Sequence, residues 1–250
     1  MKSTITLCLF LLLFCGLLNP TFAQRKRGGE GGGKFSYTLG CGWGLSQIEA
    51  TGFNFALKRY QENTGTPIGQ IGQGQGFSAA VAFYGHNEKS SGARSFYEFR
   101  FTNRNQKLSW FDASLNAKRT INFQVNSFGL GFGGLPISSE VLDIGLGVAI
   151  EGTWNAINLS ESNQPTPINW TAGATAVAPI YINFAIHSPL VLCIRPFYQF
   201  QFLPCEWSEF NKNLNPTTYQ NDKKADLTSR LNNFGVDVQL LFVLYKKRFR

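Results

Sequence analysis

The chain has 250 residues, a formal net charge of +8, 15% charged residues, 14% aromatic residues and 26 glycines. Soluble domains average about 25% charged residues, so this sparse charge combined with many aromatics points to an apolar exterior. Beyond the N-terminal segment no run approaches the ~18 uninterrupted apolar residues of a membrane helix, which excludes a helical bundle in a bilayer.

The opening "MKSTITLCLFLLLFCGLLNPTFAQ" places Lys2 before an apolar run over 7–18 and a small-x-small ending at Thr21-Phe22-Ala23. This predicts a secretory signal peptide over 1–23, cut before Gln24. Neither Cys8 nor Cys15 follows a small residue, so no lipid anchor is expected, and loss of Lys2 leaves the mature chain at +7. "QRKRGGEGGG" over 24–33 reads as a flexible basic leader, since glycine-rich sequence cannot bury enough to order itself. The folded domain is expected over 34–250.

From Lys34 a period of two recurs, the signature of strands with unlike faces. Phe35, Tyr37, Leu39, Cys41, Trp43 and Leu45 alternate with small or polar residues; Phe77, Ala79, Val81 and Phe83 do the same, and so do Tyr97, Phe99 and Phe101 against Glu98 and Arg100. Between these strands, 51–65 sets Phe53, Leu57 and Tyr60 at helical spacing and ends in glycine, predicting a short helix over or partly inside a barrel mouth. "GQIGQGQG" over 69–76 precedes a strand instead of joining a strand to a helix, so it is no phosphate cradle.

Further on, Ile121, Phe123 and Val125 share a phase that switches to Phe128, Leu130 and Phe132, and a β-bulge near Asn126-Ser127 would restore one facing. "VLDIGLGVAIEGTW" over 141–154 holds Leu142, Ile144, Leu146, Val148 and Ile150 on one row and Asp143 and Glu151 on the other. An unpaired carboxylate in an apolar core costs several kcal/mol, so the two acids need a polar side of their own. Residues 172–186, 190–202 and 234–244 complete about eight strands. Segment 107–116 stands as a further strand in the alternative of ten. Strands of this length suit a bilayer, which ~9–11 tilted residues cross.

The links alternate without exception: long over 46–74, 103–119, 154–171 and 203–232, short over 86–94, 133–140 and 188–189. Such alternation describes an up-and-down barrel with two different rims. Trp43, Trp154 and Trp170 fall near strand ends facing the long links and Tyr97 and Tyr245 near the short turns, as expected of aromatic girdles, while Trp110 and Trp207 lie within long links. Of the three mature cysteines, alternation puts Cys41 and Cys193 on opposite sides of the wall, leaving Cys193 with Cys205 as the open pairing. No metal-ligand cluster is present in the sequence and no cofactor is expected.

With these features the chain resembles the small outer-membrane β-barrel proteins of Gram-negative bacteria, of the OmpA/OmpX and porin-like kinds. The likeness runs from Lys34 to the C-terminus, departing at the end, where Arg250 follows Phe249. It implies an all-β, closed antiparallel transmembrane barrel with long external loops, short periplasmic turns and a location in the outer membrane. Glu98, Arg100, Asp143, Glu151, Arg195 and Asp237 would then point into the lumen with Asn122, Gln124, Asn183, Gln199, Gln201 and Gln239, forming a packed plug of ion pairs. Arg100 and Arg195 fall at mid-barrel, with Glu98, Glu151 and Asp237 as partners.

The resemblance also implies outer-membrane lipids and the barrel assembly machinery as partners, with an unidentified protein or surface ligand at the loops. The barrel enzymes work near the outer rim, whereas His86 and His187 sit at short-turn ends, so no catalytic residue is expected. The basic runs at 25–27 and 246–250 suit lipid phosphates at the periplasmic interface, and nucleic acid is not expected. The role is structural or loop-mediated binding; the rivals are a narrow gated channel and a soluble lipocalin-like barrel, in which the apolar rows would face inward.

Overall fold

In the computed structural model, which describes residues 34–86, 94–113, 115–139, 141–161, 164–187 and 189–248, the alternating segments pair into a closed eight-strand antiparallel barrel. The staves are β1 (Lys34–Ile48), β2 (Gln73–His86), β3 (Arg94–Asp112), β4 (Ala117–Ser138), β5 (Leu142–Glu161), β6 (Gln164–His187), β7 (Leu190–Gln201) and β10 (Asn233–Arg248). Each pairs with its sequence neighbours, and β1 closes the cylinder by pairing with β2 and β10. A small two-stranded ribbon, β8 (Cys205–Glu206) with β9 (Thr228–Ser229), pairs separately from the eight staves.

The barrel has eight strands, because residues 107–112 of the segment read as a further strand are the upper part of β3. Residues 103–119 and 154–171, expected as long loops, are mostly continued strand: β3 and β4 stay paired up to Asp112↔Ala117, and β5 and β6 up to Glu161↔Gln164. Polar residues in an alternating pattern can keep a ladder going above the apolar zone, and composition alone does not mark that point. The true long connections are 49–72 and 202–232. The first carries α1 (Thr51–Thr64), ended by Gly65 in the left-handed conformation, and the second carries α2 (Ser208–Leu214).

The sidedness of the wall matches the alternation. Leu146 (62% exposed), Ile150 (68%) and Tyr97 (68%) face outward in a continuous band with Phe128, Leu130, Phe132, Leu240 and Phe242, while Glu151 is 1% exposed. The rows of Leu146, Ile150 and Leu240 thus face outward, where a lipocalin-like barrel would turn them inward. The thiols of Cys41, Cys193 and Cys205 are all free, Cys41 exposed on the outside and the other two buried.

At β4 the structure corrects the sequence reading. The β3–β4 ladder runs without a register shift from Phe101↔Phe128 through Asn103↔Asn126 to Leu108↔Ile121, so there is no bulge at Asn126-Ser127. The strand keeps one facing, and Ile121, Phe123 and Val125 point inward while Asn122 and Gln124 point outward, against the expectation that they line the lumen. The environments have exchanged: the upper barrel is filled with apolar side chains. Ile48, Phe53, Leu57, Ile71, Ile121, Phe123, Ile157, Trp207 and Phe210 form one buried cluster in which α1 and the 202–232 segment sit in the mouth.

Two ladders are interrupted at one level. Pairing passes from Leu146↔Ile180 to Ala149↔Val177 between β5 and β6, and from Pro179↔Phe197 to Ile182↔Ile194 between β6 and β7. Pro179 and Pro196 lack the N–H groups that would fill the gaps.

Candidate functional site: a charge-balanced layer inside the barrel

An eight-strand barrel leaves an interior that side chains can fill, and here they fill it in three layers. Nearest the short turns, Phe96, Leu135, Tyr181, Cys193 and Leu241 make a small apolar cluster with Tyr84 and Val191 against it. Farthest from them lies the cluster around α1 and α2. Between the two sits a layer of charge.

Alternation sends Glu98, Arg100 and Arg104 of β3 inward on one row, with Glu151 of β5, Arg195 of β7 and Asp237 of β10 facing them. The Nε of Arg100 donates to Glu151 Oε1 at 2.6 Å. Arg195 bridges two acids, its Nη1 donating to both Glu98 oxygens at 3.1 Å and its Nη2 to Asp237 Oδ2 at 2.9 Å. Arg104 pairs with the other Asp237 oxygen. Neutral groups add to it: the Tyr181 hydroxyl donates to Glu98 at 3.0 Å, and Gln199 Nε2 to Glu151 at 3.3 Å, while Arg100 Nη1, Arg104 Nε and Arg195 Nε stay buried without a hydrogen-bond partner. Three guanidiniums thus meet three carboxylates, and the layer is neutral as a whole.

Small residues opposite the acids make room for it. Gly44 pairs with Asp237 across the β1–β10 ladder, and a Cβ there would fall on the Asp237 carboxylate and the Arg104 guanidinium. Gly129 stands opposite Glu151 in the same way. The β2–β3 ladder also opens between Gln75↔Asn105 and Ser78↔Thr102. Arg104 Nη1 enters that opening and donates to the carbonyls of Asn103 (2.9 Å), Phe77 (3.1 Å) and Gly76 (3.3 Å).

Five of the six lumen residues read from the sequence therefore come together, Arg100 with Glu151 and Arg195 with Glu98 and Asp237. Asp143 does not join them. It lies toward the short turns, half-buried, held by Arg94 at 3.3 Å and by the Ser138 hydroxyl at 2.6 Å. Arg104 lies one step beyond the apolar alternation of β3, which stops at Thr102, and so it is the member of the layer that the spacing does not reveal.

Asn183, Gln199, Gln201 and Gln239 are buried on the inner face as expected. Of the girdle residues, Trp43 and Tyr97 are exposed on the outside and Trp154 is half-buried beside Phe101, ring centroids 6.2 Å apart. The side chains of Trp170 and Tyr245, like those of the basic runs at 25–27 and 246–250, lie outside the described residues. Trp110 and Trp207 are buried in the upper cluster.

The upper cluster is pinned to the wall by polar contacts. Tyr60 of α1 donates its hydroxyl to Asp112 at the tip of β3, and Arg119 of β4 reaches the same hydroxyl at 3.3 Å. Burial, reinforced by the Asp112 hydrogen bond, pushes the Tyr60 phenol above its ordinary value. Arg59 ties α1 to the 202–232 segment through Asp222 at 2.9 Å.

No protein-family model matches the chain, and no curated protein sequence matches it. Solved structures do resemble it. A major outer membrane protein from Thermus thermophilus is 10% identical at a TM-score of 0.48, over 84% of this chain and 99% of the other. Ail, the attachment invasion locus protein of Yersinia pestis, solved with the heparin analogue sucrose octasulfate, is 10% identical at a TM-score of 0.37, over 84% and 99%. The outer membrane protease OmpT from Escherichia coli is 7% identical at a TM-score of 0.37, over 88% and 99%.

Proposed function

We propose that this chain is an outer-membrane β-barrel with a closed lumen, a structural or loop-mediated binding protein without a catalytic site of its own. The observation that carries the reading is the inverted wall, with an outer band of exposed apolar side chains around a buried, charge-neutral interior. Isolated apolar patches on soluble monomers rarely exceed a few hundred Å², whereas this band encircles the barrel and calls for hydrocarbon. Outer-membrane lipids are then its surroundings, the barrel assembly machinery the agent of its insertion, and the signal peptide its route across the inner membrane.

The layered interior argues for a plug. Ions would have to pass the Phe96–Tyr181 cluster, the ion pairs and the cap of α1 and α2 in succession. Specificity then resides in the segments at the long-loop rim, where an unidentified protein or surface ligand would bind.

The test uses the refolded full chain. An unboiled sample should migrate differently from a boiled one on a gel, and planar bilayers containing it should show no steady conductance above the lipid baseline. Solubility without detergent would remove the membrane assignment, and stable ohmic steps would remove the closed lumen.

A further inference from the structure

The exchange of environments along β4, whose facing is constant, leaves an unusual surface on the outside of the barrel. Row by row, the outward face changes character within one step of the ladder. Phe101 and Phe128 pair in the last apolar row, and the next row pairs Asn103 with Asn126, with Trp154 beside them on β5. Above it stand Asn105 opposite Gln124, then Lys107 opposite Asn122 and Asn158, then Ser109 opposite Thr120 and Ser160. Among the described residues, Lys107 and Lys118 are the only charges on this face.

Part of the array is already ordered by itself. Asn103 Nδ2 donates to Asn126 Oδ1 at 2.6 Å, Asn105 Nδ2 to Asn103 Oδ1 at 3.3 Å, and the Ser109 and Thr120 hydroxyls meet at 3.0 Å. Among the described residues, the side-chain amides of Asn122, Gln124 and Asn158 have no hydrogen-bond partner, though each is only half exposed on a paired strand. Each free amide offers two donors and an acceptor on a rigid backbone, in the rows that follow the one holding Trp154.

We infer that this face binds the sugar headgroup of the glycolipid that surrounds the barrel. The inference rests on the membrane reading above: the array is continuous with the apolar band, so whatever lipid covers Phe128 and Leu130 presents its headgroup to the rows from Asn126 upward. Neutral amides fit sugar hydroxyls, which both donate and accept, better than they fit bare phosphates, which call for Arg and Lys. Trp154 offers a flat apolar surface for the C–H face of a ring. Sheet-borne side chains need little ordering on binding, which favours a shallow but selective contact.

The full chain in detergent is titrated with three probes: lipopolysaccharide carrying a complete core oligosaccharide, the same lipid trimmed to lipid A, and the free core oligosaccharide. The sugar-bearing lipid should bind at least about tenfold more tightly than lipid A, a difference worth about 1.4 kcal/mol. In the variant Asn122→Thr/Gln124→Thr/Asn158→Thr that ratio should fall to near one with lipid A binding unchanged. A second variant, Asn105→Thr/Gln124→Thr, should lower the ratio in the same direction and serves if the triple variant does not fold. A ratio near one in the unaltered chain, or an undiminished ratio in a folded variant, overturns the inference. Equally tight binding of the free oligosaccharide overturns the lipid as its source. Quenching of Trp43 by brominated phospholipid reads membrane insertion separately: failure there sinks the membrane reading, and insertion with a ratio of one sinks only the sugar site.

Discussion

Arg195 and Asp237 face each other across the β7–β10 ladder, and the guanidinium of the first donates to the carboxylate of the second at 2.9 Å. Because Arg195 also holds Glu98, replacing it strands two buried carboxylates at once. Breaking a buried pair from one side costs about 3–5 kcal/mol, so Arg195→Ala should lower stability by at least that much in urea titrations of vesicle-reconstituted protein. Conductance should stay at baseline, since the apolar layers on either side still close the lumen. A loss below about 1 kcal/mol would show that the layer contributes little to holding the barrel together.

Gly44 tests the same layer from the wall. A methyl group there meets both members of the Arg104–Asp237 pair. Overpacking of this kind costs about 1–3 kcal/mol, and Gly44→Ala should destabilise the barrel by that amount. The same substitution at Gly152, an outward position where an added Cβ would meet only the Phe128 carbonyl at 3.9 Å, should cost much less.

The cap should loosen independently of the barrel. Phe53 stacks on Phe210 with ring centroids 4.2 Å apart and also packs on Phe123 at 5.0 Å and Trp207 at 5.5 Å. Phe53→Ala removes about 3–5 kcal/mol of packing from that cluster. Limited proteolysis should then cut within 49–72 or 202–232 at a greatly increased rate, while the heat-dependent gel shift of the barrel persists. Protection equal to that of the unaltered chain would count against an anchored cap.

Alkaline titration probes the same cap. The folded-state pKa of Tyr60 is raised above the unfolded value of about 10, so between the two the native state binds the extra proton. Cap stability should be fully present below pH ~10 and decline as pH rises through the folded value. Tyr60→Phe should flatten that alkaline limb while lowering cap stability at neutral pH by about 1 kcal/mol, both read by proteolytic protection against pH.

Spin labels locate the hydrocarbon boundary. A label at Leu130 should be accessible to oxygen and shielded from a water-soluble nickel complex, and a label at Gln124 should show the reverse. Six residues of strand span only about 20 Å, so the change is abrupt. Equal nickel access at both positions would remove the boundary from β4.

Much of this was legible in the residues. The period of two sorted Glu151 from Ile150 and Arg195 from Ile194, because an acid or base among apolar neighbours has only one tolerable side. Helix α1 was legible from Phe53, Leu57 and Tyr60, and its end from Gly65. The row of Ile121, Phe123 and Val125 was not, since an apolar side chain is equally content against lipid or inside a capped mouth. Which of these it meets depends on a helix some 70 positions earlier in the chain, a long-range fact that local spacing does not hold. Arg104 was hidden for a related reason: an Asn- and Gln-rich stretch reads as loop until its pairing with β4 is known.

Pro179 and Pro196 give the cylinder a grain. Adjacent rungs are absent at one height on two neighbouring seams, while the β3–β4 ladder, two seams along from β5–β6, runs unbroken for nineteen pairs. A stave pulled from such a cask parts where the hoops are thinnest. Forced extraction of the chain should therefore begin with β6 leaving its neighbours, and the β3–β4 hairpin should be the last piece to let go.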